Sequence, residues 1–285
     1  MTMTADRPVS TPITGRLLEG KRALIMGVAD RHSIAWGIAE AMHDHGATTA
    51  FTYQEEPKGR IERNVRGLVS SLGAREDPPM YPCDVTDDAS IEKVVAQLRK
   101  SWDGIDTVVH CIAYAARDDL NRPYSQVSRE GYLMAVDISA YSLNAIARAV
   151  TPMMRDNGGS LIALTYNAVE KAVPGYSAMA ASKAALELGV RYLAAELGPQ
   201  KIRVNAISAG PIRTLSASAV KGITYLRSWT ERASPLRENI TPRDVGDTAV
   251  YLASDLGRMV TGNLIFVDSG THVLGPQVAA IPEED

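Results

Sequence analysis

The chain has 285 residues, of which 45% are hydrophobic and 22% charged, and its net charge is -3. That balance offers neither nucleic acid nor an anionic membrane surface an electrostatic reason to be the main partner. Aromatic residues make up only 6%, which argues against a base-stacking platform, and no apolar run approaches the roughly 18 residues of a membrane span.

Residues 1–17 contain Thr, Pro and Ser without an apolar stretch, and are expected to be a tail rather than a signal peptide. Short apolar runs then alternate with longer helical patterns. The predicted strands are Arg22–Met26, Thr48–Tyr53, Met80–Cys83, Asp106–Ile112, Ser160–Thr165, Arg203–Ser208 and Asn263–Val267. Helices are expected over Ser33–His45, Gly59–Leu72, Ala89–Trp102, Arg129–Met154 and Tyr176–Leu197. A further helix opens at Thr241-Pro242-Arg243-Asp244, with a capping Thr, Pro in the first turn and an acid near the positive end. Between them, Leu215–Asn239 breaks the rhythm and reads as a lid. Residues 275–285 are read as a tail or an arm to a neighbouring subunit.

Parallel strands need crossovers, and right-handed crossovers on both faces build a doubly wound sheet. The prediction is therefore one α/β domain over residues 18–274, a Rossmann-like parallel sheet of about seven strands with helices on both faces. Cys83 and Cys111 sit in apolar strand-like runs and read as free thiols of a reducing cytoplasm. No spacing suggests a metal site.

Ligands of such sheets bind beyond the carboxyl ends of the strands. Gly27 stands there after the first strand, Gln54 after the second, Asp84 and Val85 after the third, and Cys111-Ile112-Ala113 after the fourth. Gly27 allows a close turn, and Ser33 can cap a helix whose positive end faces a pyrophosphate. The glycines do not follow Gly-x-Gly-x-x-Gly, so taken alone the loop could be a mere turn. Asp84 could accept from an adenine amino group. Gln54 can bond ribose hydroxyls, and Glu55 and Glu56 would repel a 2′-phosphate; NADH is favoured, while Lys58 and Arg60 keep NADPH possible.

Tyr176 and Lys183 are seven positions apart. On an ideal helix that is about 700°, so the two face the same way with about 10 Å of rise between them. A phenol can donate to a carbonyl oxygen that becomes an oxyanion. An ammonium can hold ribose hydroxyls and lower the phenol's pKa. The competing reading packs Tyr176 against the sheet and leaves Lys183 solvated. Tyr166, just past the fifth strand, is a candidate for substrate contact. Ketone-reducing short-chain enzymes carry Tyr four residues before Lys, where this chain has Met179. A more distant tyrosine suits conjugate addition, with charge developing three bonds from the carbon that receives hydride.

These residues make the chain similar to the bacterial enoyl-acyl-carrier-protein reductases, a divergent branch of the short-chain dehydrogenase/reductase superfamily. The resemblance runs from Leu18 to Thr271. It rests on Gly27 through Ser33-Ile34-Ala35 with Gly37, on Phe51-Thr52-Tyr53-Gln54, Cys83-Asp84-Val85, and Asp137-Ile138-Ser139-Ala140-Tyr141-Ser142. Tyr166, Tyr176, Lys183 and Ser208-Ala209-Gly210-Pro211-Ile212-Arg213-Thr214-Leu215 complete it. It implies NADH-dependent reduction of trans-2-enoyl thioesters, on acyl carrier protein or CoA, in fatty acid biosynthesis. Tyr176 would donate to the enolate, Lys183 grip the nicotinamide ribose, and Tyr166 assist. Ala115 would touch substrate, together with both tyrosines. Gly27, Ser33, Ile34, Gln54, Asp84, Val85 and Ile112 would line the nucleotide, and Ile212, Arg213, Thr214, Leu215 and Ser216 would cover nicotinamide and pyrophosphate. The resemblance also implies an acyl-pocket lid over Leu215–Ser228 and a homotetramer joined through the helices at Arg129 and Tyr176.

The chain departs from that pattern at Cys111-Ile112-Ala113, at Thr165-Tyr166, and in the lid. There Lys221 remains but Thr224 and Tyr225 stand where basic residues are expected, with Arg227 and Arg232 as substitutes. Rival readings are a carbonyl reductase or a specialised-metabolite enoyl reductase of the same superfamily, and a dinucleotide sensor without turnover.

Overall fold

The computed structural model describes residues 15–74, 78–154 and 158–275. Seven strands form one parallel sheet: β1 (Arg22–Met26), β2 (Thr48–Tyr53), β3 (Met80–Pro82), β4 (Thr107–His110), β5 (Gly159–Thr165), β6 (Ile202–Ala209) and β7 (Leu264–Val267). Their spatial order is β3-β2-β1-β4-β5-β6-β7, every pair parallel. The order reverses between β1 and β4, which opens a crevice at their carboxyl ends.

Alternate residues of each strand feed two separate cores, because successive side chains point to opposite faces. Ile25, Phe51, Val109, Ile162 and Ile207 pack against α1 (Ile34–Asp44) and α9 (Pro242–Ala253). Leu24, Val108, Leu161 and Val204 face α3 (Asp88–Ser101), α6 (Ser142–Val150) and α7 (Ser177–Leu197). Burial on both faces explains why the strands are almost unbroken in apolar residues. Helix α2 (Arg60–Ser71) lies on the first face and buries only Val65 and Val69. The chain is already packed ahead of β1: Leu18 is buried in the first core, and its N–H donates to the His45 carbonyl. No described helix is long and apolar enough to cross a membrane.

The expected capping at Thr241 is present in full. Its hydroxyl accepts from the Asp244 N–H, and the Asp244 carboxylate accepts from the Thr241 N–H.

The single helix expected over Arg129–Met154 is instead broken. Helix α5 (Arg129–Val136) passes into a π turn over Asp137–Tyr141 before α6, and a 3-10 turn with Pro152 follows at Thr151–Met153. Side-chain hydroxyls compete for the backbone at the π turn. Ser142 Oγ donates to the Ile138 carbonyl at 2.7 Å, and Ser139 Oγ bonds both the N–H and the carbonyl of Tyr114. The break thus ties α5 and α6 to the loop after β4. A short helix, α4 (Arg117–Asn121), was not anticipated; five residues are too few to show a helical period. The segment Leu215–Asn239, expected to be a lid, contains a 3-10 turn, Ser216–Ala219, and helix α8 (Ile223–Ala233).

Candidate active site

At the switch point Gly27 has φ +90°, and a Cβ there would lie 2.0 Å from the Cys111 carbonyl oxygen. The ends of β1 and β4 therefore meet backbone to backbone, and a nucleotide can approach the chain closely there. Ser33 caps α1 as expected, its hydroxyl accepting from the Trp36 N–H at 3.3 Å and donating to the Asp30 carbonyl at 2.7 Å. The positive end of α1 thus faces the same edge. Ile34 packs partly buried against the first core; Val85 and Ile112 do so against the second.

Beyond β2, Gln54 is exposed. The Glu56 carboxylate accepts from the backbone N–H groups of Lys58, Arg60 and Ile61. These bonds hold its pKa below the usual carboxylate range although desolvation pushes the other way. The backbone donors at the start of α2 are therefore already occupied by a carboxylate. Asp84 is exposed at the end of β3, and its Oδ1 accepts from the N–H and the hydroxyl of Thr86 at 2.9 and 2.7 Å.

Tyr166 leaves β5 in an extended conformation, φ -148° and ψ 146°. Tyr176 is the N-cap of α7, not a residue within the helix. The two rings meet edge to face, centroids 5.1 Å apart. Among the described residues no protein group bonds the Tyr176 hydroxyl. Lys183 lies inside α7, 4% exposed, and its Nζ donates to the Leu164 carbonyl at 2.7 Å. At the end of β5 the structure thus sets Tyr176 beside Tyr166 and Lys183 on the Leu164 carbonyl, and Lys183 is buried rather than solvated.

The electrostatics correct one expectation. The Tyr176 phenol is not lowered by Lys183: its pKa is raised, first by burial and then by Tyr166. Burial, followed by the charge of Asp268, raises Tyr166 as well. Both hydroxyls keep their protons at neutral pH, which fits them to donate rather than to act as bases. Burial lowers Lys183 to about 8, opposed by Cys111 and then Glu187. His110, at the end of β4, is held down at about 3 by burial and by Lys183, and its Nε2 bonds Ser142 Oγ at 2.7 Å.

Across the crevice, Ile212 is buried, Arg213 and Leu215 are exposed, and Thr214 Oγ1 accepts from the Ala217 N–H at 3.0 Å. Ser216 opens the 3-10 turn. Ala115, half-buried, lies in the loop between β4 and α4. Arg227 of α8 donates to the Pro211 carbonyl at 3.1 Å, so it ties α8 to the loop after β6 rather than standing free. Asn121 of α4 holds the other side: its Nδ2 donates to the Ala219 carbonyl and its Oδ1 accepts from the Lys221 N–H. Sequence reasoning missed this clamp because the partners are about a hundred residues apart.

A profile described as Enoyl-(Acyl carrier protein) reductase matches residues 27–272. The chain belongs to that family. A relative named enoyl-[acyl-carrier-protein] reductase [NADH], from Nostoc sp., is 46% identical over 259 residues, spanning 90% of this chain and 98% of the relative. The Bacillus cereus enoyl-acyl carrier protein reductase, solved with NADP+ and an indole naphthyridinone, superposes with a TM-score of 0.88 at 48% identity, covering 91% of this chain and 99% of that one. An Anaplasma phagocytophilum reductase solved in complex with NAD gives a TM-score of 0.87 at 42% identity, covering 96% and 100%. The single doubly wound domain is therefore that of the enoyl reductases.

Proposed function

We infer that Tyr176 is the oxyanion donor and Lys183 the nucleotide-holding cation of an enoyl reductase. The reaction is the NADH-dependent reduction of a trans-2-enoyl thioester to the saturated acyl thioester, in fatty acid biosynthesis. The observation that carries the assignment is a protonated phenol at the N-cap of α7 whose hydroxyl bonds no described protein group, with a buried ammonium about two turns into that helix.

Bound NADH would supply the hydride that the β-carbon takes up. Gly27 and the capped end of α1 would hold its pyrophosphate, and Gln54 and Asp84 would bond the adenosine end. Ile34, Val85 and Ile112 would form the apolar walls, while Ile212, Arg213, Thr214, Leu215 and Ser216 would cover the nicotinamide half. As the double bond is saturated, negative charge moves to the thioester oxygen, where Tyr176 donates its hydrogen bond. Tyr166 packs against the Tyr176 ring and, with Ala115, contacts the substrate. The α-carbon then takes a proton from a tyrosine or a water relay.

The substrate arrives on acyl carrier protein or CoA, over a lid that presents Lys221 and Tyr225. The chain works in the cytoplasm as a homotetramer. Support for the assembly is the apolar surface of α5 and α7, where Leu133 and Tyr192 are 60% and 72% exposed.

Turnover of crotonyl-CoA and of enoyl-carrier thioesters, against acetoacetyl-CoA as the ketone control, tests the reaction. NADH oxidation with the enoyl thioesters alone is expected; faster oxidation with acetoacetyl-CoA would favour a ketone reductase. For the nucleotide, Glu56→Gln should raise kcat/KM for NADPH by about tenfold relative to NADH, since it removes the charge that repels the 2′-phosphate. An unchanged ratio would show that Glu56 only caps α2.

A further inference from the structure

Glu187 has no part in the chemistry described so far, yet it is 6% exposed and lies one turn beyond Lys183 on α7. Its Oε1 accepts from the Thr165 hydroxyl at 2.7 Å. The neighbouring residue of β5, Leu164, supplies the carbonyl that holds Lys183 Nζ. Two consecutive residues of β5 thus fasten two buried side chains of α7, one cationic and one acidic, between sheet and helix. A buried ammonium is costly unless a negative charge faces it.

We propose that Glu187, held in place by Thr165, is the positioning residue and counter-charge that keeps Lys183 an ammonium in the active site.

The other groups around the pair do not supply that charge. Just past β4, Cys111 opposes the drop in the Lys183 pKa more strongly than Glu187 does, but burial pushes its own thiol up to about 11, so it is neutral across the working range. His110 is neutral above about pH 3, and the phenols of Tyr166 and Tyr176 keep their protons. Burial raises the Glu187 carboxyl; the Thr165 bond and Arg191 of α7 draw it back, Glu170 of the turn after β5 opposes them, and Lys183 draws it down. The remaining charge that acts on the ammonium is therefore that of Glu187, one helical turn away and held by Thr165.

The sign of the pH effect follows. Lys183 carries its charge below about pH 8 and loses it above; removing a facing carboxylate moves that loss to lower pH. The inference rests on Lys183 holding the nucleotide, so the test reads NADH affinity directly, by fluorescence titration from pH 6 to 10 on the full chain.

Wild-type affinity should weaken above about pH 8. In Glu187→Gln the same weakening should begin about one pH unit lower. Thr165→Val should move it in the same direction and Thr165→Ser, which keeps the hydroxyl, should restore it. A side chain that only packs would leave the midpoint in place. A wild-type curve with no limb would overturn the role of Lys183 itself. A wild-type limb that neither Glu187→Gln nor Thr165→Val displaces would overturn the counter-charge alone.

Discussion

Tyr176→Phe is expected to lower kcat for enoyl thioesters about a hundredfold, the usual loss when one oxyanion donor of about 3 kcal/mol is removed. Folding and NADH binding should be kept. Among the described residues no protein group bonds the Tyr176 hydroxyl, so its removal leaves no protein partner orphaned, and the ring still meets Tyr166 edge to face. The effect should therefore appear in kcat rather than in nucleotide affinity. Stopped-flow NADH binding and steady-state turnover on one preparation separate the two. Equal turnover by parent and variant would remove Tyr176 from the mechanism.

The second large effect is structural and falls at the nucleotide edge. Gly27→Ala should destabilise the protein by about 3 kcal/mol or more, from two sources. An L-residue forced to positive φ costs about 1–2 kcal/mol, and crowding of a packed interior adds about 1–3 kcal/mol. The crowding is specific: the new Cβ would sit 2.0 Å from the Cys111 carbonyl oxygen, so β1 and β4 must part at the switch point. A control isolates the first term. Gly222 has φ +91° with nothing within 4 Å of an added Cβ, so Gly222→Ala carries only the backbone cost. Thermal melts should place Gly27→Ala well below Gly222→Ala, a difference of several degrees for a domain of this size. Coincident melts would mean that the close approach of the two strands is not rigid.

The architecture was legible because buried parallel strands must be apolar throughout and must be joined by crossovers. Runs such as Arg22–Met26 and Arg203–Ser208 therefore marked the sheet to within a residue or two of β1 and β6. The break inside Arg129–Met154 was hidden: Ser139 and Ser142 have the same spacing whether their hydroxyls face solvent or bond the backbone, and only the fold brings Tyr114 to Ser139.

At the site, the Tyr176–Lys183 spacing was read as two residues riding one helix, and the structure places only Lys183 within it. Gly175, at φ +81°, turns the chain so that Tyr176 caps α7 instead of riding on it. The sign of the phenol's pKa shift was misjudged because charge attraction can be read from spacing, whereas burial, the larger cause, can be read only from packing. Glu187 carried a faint signal: an acid four positions after a buried lysine, on a helix side otherwise occupied by Leu186, Val190 and Ala194.

The most direct test of the central claim follows the hydride. Reduction of a trans-2-enoyl thioester with NADH deuterated at the transferring position should place deuterium on the β-carbon of the saturated product, at a rate that collapses in Tyr176→Phe. Deuterium on the α-carbon or on a carbonyl carbon, or a Tyr176→Phe rate equal to the parent's, would contradict conjugate addition beneath this phenol.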